Sequence, residues 1–255
     1  MQIPMTLRYY EIAEANHRIL NPFSEENLML LGEICDLKPG MCQLDLACGK
    51  GEMLCRWVQK YGIQGIGVDI SSVFVEAARQ RAASLQISSN LEFILGDAAQ
   101  FEFQAETFDI ISCIGANWLG GGTRGTLDLI RQKGLKSSPE SLVLMGELFW
   151  KEAPSGEAIQ AMGTKRGEWA EGLGQILEWF NQAGAQVIEM IIASKENWDR
   201  YEAPKWRTFD RWKQQNPDDP DLDSLVDFAK KSQSDYLNYE RPLCDWGVFV
   251  LRLED

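Results

Sequence analysis

Two aspartates follow short apolar segments on either side of a turn built from small residues. Asp45 lies in the predicted strand 42–46, which runs directly into the turn 47–51, where three of the five residues are Ala or Gly. Such residues let the backbone approach a ligand closely. Asp69 ends the next predicted strand, where a carboxylate can accept hydrogen bonds from both hydroxyl groups of a ribose. The spacing therefore predicts a site for a cofactor that contains adenosine.

Two classes of cofactor use this strand–turn–helix arrangement. Dinucleotide sites follow the pattern G-x-G-x-x-G, and the helix that begins there binds a pyrophosphate at its N-terminus. In this chain the third glycine position is Leu54, and Asp45 places a negative charge beside the turn. That charge repels phosphate and suits a cation such as an amino acid ammonium group. An NAD-type oxidoreductase remains the alternative, although the chain has no recognisable set of residues for hydride transfer.

The motif around the turn resembles that of a known family. Residues 44–51, with the sequence LDLACGKG, are similar to the first motif of class I S-adenosylmethionine-dependent methyltransferases. Residues 91–98 and 107–115 resemble the third and fourth strands of the same family. The similarity in the order of strands and loops extends from about 35 to 193, and the whole chain resembles an uncharacterised branch of small bacterial methyltransferases.

The resemblance implies a cofactor and a set of residues that bind it. The cofactor would be S-adenosyl-L-methionine, the product S-adenosyl-L-homocysteine, and no metal ion would be needed. Asp45 would lie near the methionine part, while Asp97 would hold the adenine amino group and Ala98 would donate its N–H to a ring nitrogen. The predicted cofactor-binding residues are Asp45, Ala47, Cys48, Gly49, Gly51, Asp69, Ile70, Asp97, Ala98, Ile114 and Gly115.

The chain departs from the family pattern at three places. Ala47 replaces the usual first glycine, which is a mild change if its φ angle stays negative. Lys50 stands where a small residue is more common, and the glycine pair expected before the fifth strand is missing from 135–139. All the acids are retained, so cofactor binding remains the prediction.

Alternating apolar segments predict an α/β fold. Strands are expected near 42–46, 64–68, 91–95, 109–114, 141–147, 186–192 and 246–252, and helices near 52–61, 72–86, 123–134 and 168–182. The resemblance implies a Rossmann-like, doubly wound, mostly parallel seven-stranded sheet with an antiparallel last strand. Residues 1–255 are expected to form a single domain, which is divided into N-terminal helices (1–34), a cofactor-binding core (35–193), a helical cap insert (195–243) and the last strand (246–252).

The cap insert, residues 195–243, carries a series of aromatic side chains. On a helical wheel Trp198, Tyr201, Trp206, Phe209 and Trp212 cover one broad face. Proline lacks an N–H group, so Pro204 is expected to restart the helix after Ala203. One interpretation is that the rings pack the insert onto the sheet, and the other is that they cover the active site. The residues predicted to contact the acceptor are Trp118, Glu147, Trp198, Tyr201 and Trp206.

Methyl transfer requires few side chains, because the sulfonium group of the cofactor is already a strong electrophile. The protein mainly aligns the acceptor and excludes water. Glu147, directly after the fifth strand, and His17, the only histidine, are candidates for a catalytic base, but the pattern favours neither over a structural role. The leading hypothesis is a methyltransferase that acts on a small molecule by direct displacement. A module that binds the cofactor without turnover is the second alternative.

Composition narrows the possible partners and location. A net charge of −13 with dispersed Lys and Arg argues against a nucleic-acid partner. No apolar run reaches the length of a membrane span, and no secretory signal opens the chain. The six cysteines form no C-x-x-C pair and no zinc-binding spacing. These features predict a cytoplasmic protein without a metal ion or a membrane partner, and they leave the acceptor and the oligomeric state open.

Overall fold

A seven-stranded sheet in the order β3-β2-β1-β4-β5-β7-β6 forms the centre of the computed structural model, which describes residues 5–105 and 107–254. Its strands are β1 (Cys42–Leu46), β2 (Gln64–Asp69), β3 (Leu91–Leu95), β4 (Ile110–Ile114), β5 (Leu142–Trp150), β6 (Ala185–Ile192) and β7 (Cys244–Leu253). Only β7 is antiparallel to its neighbours, so the predicted Rossmann-like topology is confirmed.

Helices cover both faces of the sheet and extend beyond it. They are α1 (Met5–Ala13), α2 (Glu25–Ile34), α3 (Glu52–Tyr61), α4 (Ser72–Ser84), α5 (Thr123–Arg131), α6 (Gly156–Ala161), α7 (Leu173–Gln182), α8 (Lys195–Gln215), α9 (Leu222–Asp235) and α10 (Arg241–Leu243). A π-helical segment, Tyr236–Glu240, joins the last two. The described part of the N-terminal segment 1–34 contains two helices, as predicted, and Ser24 caps the second through the N–H of Asn27.

The central strands β1, β4, β5 and β7 are buried on both faces, which explains why most of their residues are apolar, whereas the edge strands β3 and β6 are partly exposed. On β5, Leu144 joins a core with Trp57 of α3, whereas the adjacent Val143 joins a core with Leu127 of α5 and Phe180 of α7. The strand order reverses at β1 and β4, the place where ligands of open α/β sheets bind. This topology directs attention to the carboxyl ends of these two strands.

The N-terminal segment and the cap insert pack against each other. The ring of Tyr9 on α1 has centroid distances of 5.4 Å to Phe209 on α8 and 4.8 Å to Phe228 on α9. Tyr9 and Phe209 share a buried core with Leu225 that is separate from the cores of the sheet. The two segments therefore form one helical layer.

Helix α8 is continuous through Pro204, so the expected restart after Ala203 is wrong. A proline inside a helix removes one hydrogen bond and crowds the preceding turn, at a cost of about 3 kcal/mol. Packing on both sides of Pro204 offsets this cost, because Trp198 is buried in a sheet core and Phe209 in the core of the helical layer. Tertiary contacts thus override the local preference.

Another difference concerns the segment before α7, which begins at Leu173 and not at 168 as predicted. The N–H of Trp150 donates to the carbonyl oxygen of Ala170 at 2.9 Å, and Glu171 forms a bridge with Trp150. Residues 170–171 therefore pair with the end of β5, which extends three residues beyond the predicted 147. Gly172, with φ of +104°, then turns the chain into the helix.

A pair of glycine substitutions tests how tightly the turn before α3 is constrained. Gly51 has φ of +63°, and a Cβ there would lie 2.4 Å from the Phe93 ring. Gly51→Ala should lower the free energy of unfolding by about 2 kcal/mol or more, because it combines left-handed strain with a displaced ring. In Gly174→Ala, where a Cβ meets nothing within 4 Å, stability should rise by up to about 1 kcal/mol. Chemical denaturation measures both, and equal effects would contradict the prediction.

Candidate active site

The turn 47–51, called the cofactor turn below, is built from left-handed residues. Ala47 has φ of +57°, Gly49 of +54° and Gly51 of +63°, so the expectation of a negative φ at Ala47 is wrong. The tight path from β1 into α3 imposes this conformation, which costs a non-glycine residue about 1–2 kcal/mol. The N–H of Cys48 donates to the carbonyl oxygen of Val68 at 3.0 Å and fixes the turn to β2. Burial raises the pKa of the Cys48 thiol well above its ordinary value, which disfavours a nucleophilic role.

Asp69, at the end of β2, is bonded directly to the cofactor turn. Its Oδ2 accepts from the N–H of Gly49 at 2.7 Å, and its Oδ1 accepts from the N–H of Ser71 at 2.8 Å. Burial raises the pKa of Asp69, whereas these two hydrogen bonds oppose that rise. A carboxylate has about four lone-pair sites, so Asp69 can accept two further hydrogen bonds. The geometry is compatible with the ribose contact predicted from the sequence.

Asp45 lies in the middle of the sheet and is 4% exposed. Its Oδ1 accepts from the hydroxyl of Ser112, its register partner on β4, at 2.6 Å. Burial, together with the neighbouring charge of Asp69, raises the pKa of Asp45 to about 7 despite that hydrogen bond. A cation nearby would favour the ionised form. The pair of acids therefore favours a positively charged group near them. The region at the carboxyl ends of β1, β2 and β4 is called the cofactor cleft below.

Two half-exposed apolar side chains stand at the ends of β2 and β3. Ile70 is 51% exposed and Leu95 is 49% exposed, and the latter pairs in register with Asp69. The exposed Asp97 follows them and accepts the N–H of Ala99 at 2.9 Å, while Ala98 is buried. An apolar wall beside an acceptor suits a flat heterocycle with an amino group.

Lys50 in the cofactor turn holds the N-terminal segment. Its ammonium group donates to the carbonyl oxygens of Glu14 at 2.7 Å, Ala15 at 3.0 Å and His17 at 2.9 Å. These carbonyls belong to the chain directly after α1, and that of Glu14 also accepts the N–H of His17. The lysine that departs from the family pattern thus connects this part of the N-terminal segment to the turn.

The residues that follow lie directly on two glycines of the candidate site. A Cβ on Gly49 would be 2.8 Å from Cδ1 of Leu20, and one on Gly115 would be 2.4 Å from Oδ1 of Asn21. Gly115 follows Ile114, which ends β4, and has φ of +75°. The N-terminal segment therefore covers the carboxyl ends of β1 and β4, and the side chains of Leu20 and Asn21 lie against these glycines.

Glu147 is buried at 3% exposure in β5. Its Oε2 accepts from Nδ2 of Asn117 at 2.6 Å, in the loop after β4. Burial raises the pKa of Glu147 to about 8, although its hydrogen bonds oppose the shift. The group is therefore protonated at neutral pH before any ligand binds. Trp118, next to Asn117, is 69% exposed and free to contact a ligand.

His17 is connected to the cap insert. Its Nε2 lies 2.9 Å from the carbonyl oxygen of Tyr201 on α8. Since that oxygen can only accept, Nε2 carries the proton. Burial lowers the pKa of His17, the hydrogen bond to Tyr201 opposes that shift, and the positive charges of Lys205 and Lys50 add to it, so the neutral ring is favoured.

The aromatic residues of α8 enter different environments. Trp198 and Trp206 both contact Tyr236, with ring centroids at 6.0 and 6.1 Å, whereas Phe209 stacks on Trp212 at 5.8 Å in the core of the helical layer. The hydroxyl of Tyr201 donates to the buried carboxylate of Glu14. Each of these contacts packs the insert, as the first interpretation expected, and Tyr201 additionally joins it to the N-terminal segment.

Some residues of the site were not found from the sequence. Ser112 could have been suspected, because it is a polar residue in an otherwise apolar strand. Glu14 and the Leu20–Asn21 pair gave no signal, since their contacts span the chain. Lys50 did give one, as an unusual residue in a turn of small residues.

Within 5–105 and 107–254, no group of three or more His, Cys, Asp and Glu side chains could hold a metal ion. All six cysteines are free. None of the helices in this part of the chain is long and apolar enough to cross a membrane.

Comparison with known proteins agrees with this geometry. Residues 44–128 match the model of a methyltransferase domain. The uncharacterised Escherichia coli protein YjhP is 40% identical over 98% of this chain and 99% of its own length. An S-adenosylmethionine-dependent methyltransferase from Thiobacillus denitrificans, solved with S-adenosyl-L-homocysteine, is 37% identical over the full length of both chains, with a TM-score of 0.89. The corresponding complex from Geobacter sulfurreducens is 35% identical over 99% of both chains, with a TM-score of 0.90.

The chain therefore belongs to the family of S-adenosylmethionine-dependent methyltransferases. Its cofactor is S-adenosyl-L-methionine, as predicted from the acids and the cofactor turn. Family membership decides against the NAD-type oxidoreductase, in agreement with the missing third glycine.

The raised pKa of Glu147 predicts a pH dependence of stability. The folded state holds the proton up to about pH 8, whereas an unfolded Glu loses it near its ordinary value of 4.5. Folding therefore retains a proton between these values, and stability falls as pH rises through this window. In Glu147→Gln this loss should be absent, so the variant should gain up to several kcal/mol over the parent at pH 8.5 and little at pH 5, at about 1.4 kcal/mol per pKa unit.

Thermal unfolding of the ligand-free protein at these two pH values measures the effect. Glu157→Gln, an exposed substitution at the start of α6, is the matched control and should show no such crossover. If the melting temperatures of the parent and of Glu147→Gln change in parallel with pH, Glu147 is not protonated in the folded protein and the prediction is wrong.

A second prediction concerns Lys50. Lys50→Gln removes the charge from three carbonyl contacts, and hydrogen bonds to charged groups are the stronger ones. Amide hydrogen exchange of residues 14–23 should accelerate by about tenfold or more, while the sheet stays protected. The control is Lys60→Gln on the surface of α3, where the ammonium contacts only the exposed Glu33 and Tyr61. Equal exchange in both variants would show that Lys50 does not hold the segment.

Proposed function

We propose that this methyltransferase acts on a small-molecule acceptor by direct SN2 displacement. The observation that supports this most strongly is the N-terminal segment lying on Gly49 and Gly115. An acceptor must pass beneath Leu20 and Asn21 to reach the carboxyl ends of β1 and β4. A narrow entrance of this kind favours a small molecule over a folded macromolecule.

Charge supports the same choice. The chain has a net charge of −13, and the buried acids Asp45 and Asp69 lie at the centre of the cleft. A nucleic acid would bring phosphates toward these acids, and counter-ion release requires clustered cations. A neutral or cationic acceptor is therefore preferred.

The residues at the sheet edge fit the cofactor. In our proposal Asp69 holds the ribose, Asp97 and the N–H of Ala98 hold the adenine, and Ile70 forms the apolar wall beside it. The cofactor-turn residues Ala47, Cys48, Gly49 and Gly51, with Ile114 and Gly115, pass close to the remaining part, and Asp45 faces its positive charge. When bound, the cofactor supplies an activated methyl group.

The protein then orients the acceptor and excludes water. Leu20 and Asn21 exclude water from the strand ends, which strengthens every electrostatic contact there. Glu147, protonated below about pH 8 and fixed by Asn117, can donate a hydrogen bond to an acceptor oxygen or nitrogen. Once ionised, it can accept the acceptor's proton as a base.

Further contacts to the acceptor are proposed on both sides of the entrance. Trp118 offers a ring that is 69% exposed beside Asn117. From the cap insert, Trp198, Tyr201 and Trp206 remain candidates, and Tyr201 is supported by its bond to Glu14 of the N-terminal segment. His17 is an alternative base, and its neutral ring suits that role.

We also propose a cytoplasmic location. All six cysteines are free, although Cys48 and Cys55 lie in the same region of the fold. Free thiols in this number are typical of a reducing compartment.

A labelled methyl donor tests the function directly. The protein is incubated with labelled S-adenosyl-L-methionine and a cell extract that is afterwards separated by size. Label should accumulate in the small-molecule fraction. Label in protein or nucleic acid would overturn the proposed acceptor class, and cofactor binding without any transfer would favour the module that binds without turnover.

Asp69→Asn tests the proposed cofactor contact in a binding assay. It weakens charge-assisted hydrogen bonds worth about 1.5–3 kcal/mol each, so affinity for S-adenosyl-L-homocysteine should fall at least about tenfold. Asp36→Asn, at an exposed loop position outside the cleft, makes the same chemical change and should bind like the parent. Unchanged affinity in a folded Asp69→Asn variant would remove Asp69 from the proposed site.

A further inference from the structure

Three arginines on the outward face of α8 line a cavity beside the N-terminal segment. Arg200, Arg207 and Arg211 are seven and four residues apart, which places them on one side of the helix. The cavity has a volume of about 400 Å³ and is also lined by Asn16 and His17. The basic residues are dispersed along the sequence, but the continuous helix α8 aligns these three.

The charge in this cavity is not balanced. Its lining contains no Asp or Glu, and among residues 5–105 and 107–254 none of the three guanidinium groups forms an ion pair. The adjoining cavity shares Asn16, Thr208 and Arg211 with this one and also contains Glu11 and Asp219, the second of which pairs with Arg8. The three exposed arginines give the first cavity a local positive charge in a chain whose net charge is −13, and such a charge attracts anions.

His17 also lines this cavity, so its ring is a local probe of the site. Its Nδ1 is buried and has no hydrogen-bond partner among the described residues, while Nε2 is used by the carbonyl of Tyr201. Buried polar atoms are rarely left without a partner. Protonation would convert Nδ1 into a donor, and an anion nearby would favour that form against the repulsion from Lys205 and Lys50.

We propose that this cavity binds a small organic anion that carries a phosphate or carboxylate group. A volume of about 400 Å³ lies within the range of small-molecule sites. The planar guanidinium group matches both anions through paired hydrogen bonds. The site is separate from the cofactor cleft, because its lining comes only from 16–17 and 200–211 and includes no strand end.

The position of the cavity gives such an anion a structural effect. Asn16 and His17 belong to the N-terminal segment, and the arginines belong to the cap insert. An anion that contacts both would stabilise their association. His17 is also connected to the cofactor turn through its carbonyl bond to Lys50, so the ligand strengthens the layer that covers the cleft.

The single histidine of the chain allows a direct test. The ring signal of His17 is followed by NMR while inorganic phosphate, succinate or chloride is added to the full chain at constant pH and ionic strength. Phosphate or succinate should produce a saturable shift and raise the melting temperature, whereas chloride should do neither. A parent protein without a saturable response to phosphate and succinate would overturn the proposal.

Substitutions locate the site. Arg207→Gln should lower the affinity for the anion at least about tenfold, and so should the double change of Arg200→Gln with Arg211→Gln. Lys230→Gln, at an exposed position on α9, changes the net charge by the same amount as Arg207→Gln and should have no effect. Affinity for S-adenosyl-L-homocysteine equal to that of the parent confirms that the variants are folded. If Lys230→Gln lowers the affinity for the anion equally, the effect reflects the overall charge of the protein, and the proposed site is overturned.

Two further additions separate the ligand classes. Tighter binding of phosphate than of succinate identifies a phosphorylated ligand, and the reverse identifies a carboxylate; either supports the site. A short single-stranded oligonucleotide should bind no more tightly than inorganic phosphate. If the oligonucleotide binds far more tightly, and only with the arginines present, the small-anion proposal is replaced by a nucleic-acid contact.

Discussion

The contact between the Lys50 ammonium group and the carbonyls of Glu14, Ala15 and His17 connects the two halves of this enzyme. It places a charge from the cofactor turn against the carbonyls that follow α1. The contact fixes the N-terminal segment over the ends of β1 and β4. The cap insert has its own attachment to the sheet, since Trp198 is buried in a sheet core and Lys195 pairs with Asp245 on β7.

Burial of acids is the second constraint. Asp45 and Glu147 lie in the sheet at 4% and 3% exposure, and the pKa of each is raised to about 7 and 8 because water is excluded. A buried carboxyl group is tolerated when it is protonated or has a positive partner. The two acids differ in their partners, which are a hydroxyl of β4 for one and the amide of Asn117 for the other. Within one cleft, the same chemical group can therefore meet a cation at one position and donate a hydrogen bond at the other.

Most of the sheet could be predicted from the sequence, because its signals are local. The strand 42–46, the turn that follows and the acid at position 69 all lie within thirty residues, and they were found together with the family. The predictions that failed depended on distant contacts. Because Glu171 forms a bridge with Trp150, α7 begins later in the chain than predicted. Packing at both ends keeps α8 continuous through Pro204. Ala47 is left-handed because the turn is tight, although alanine by itself disfavours that conformation.

The arginine cavity gave no signal in the sequence, because its lining joins residues 16–17 to helix α8 across the chain. Arg200, Arg207 and Arg211 are also seven and four residues apart, so the basic residues look dispersed along the sequence. Once α8 is continuous, they share one face, while Lys205, three residues from its partner Glu202, points into the buried side. One helix thus carries a buried Lys205 that pairs with Glu202 and three exposed arginines that form no ion pair with the described residues. The sheet binds the cofactor by a pattern common to the family, so the individual chemistry of this protein has to be sought in the helical layer above it.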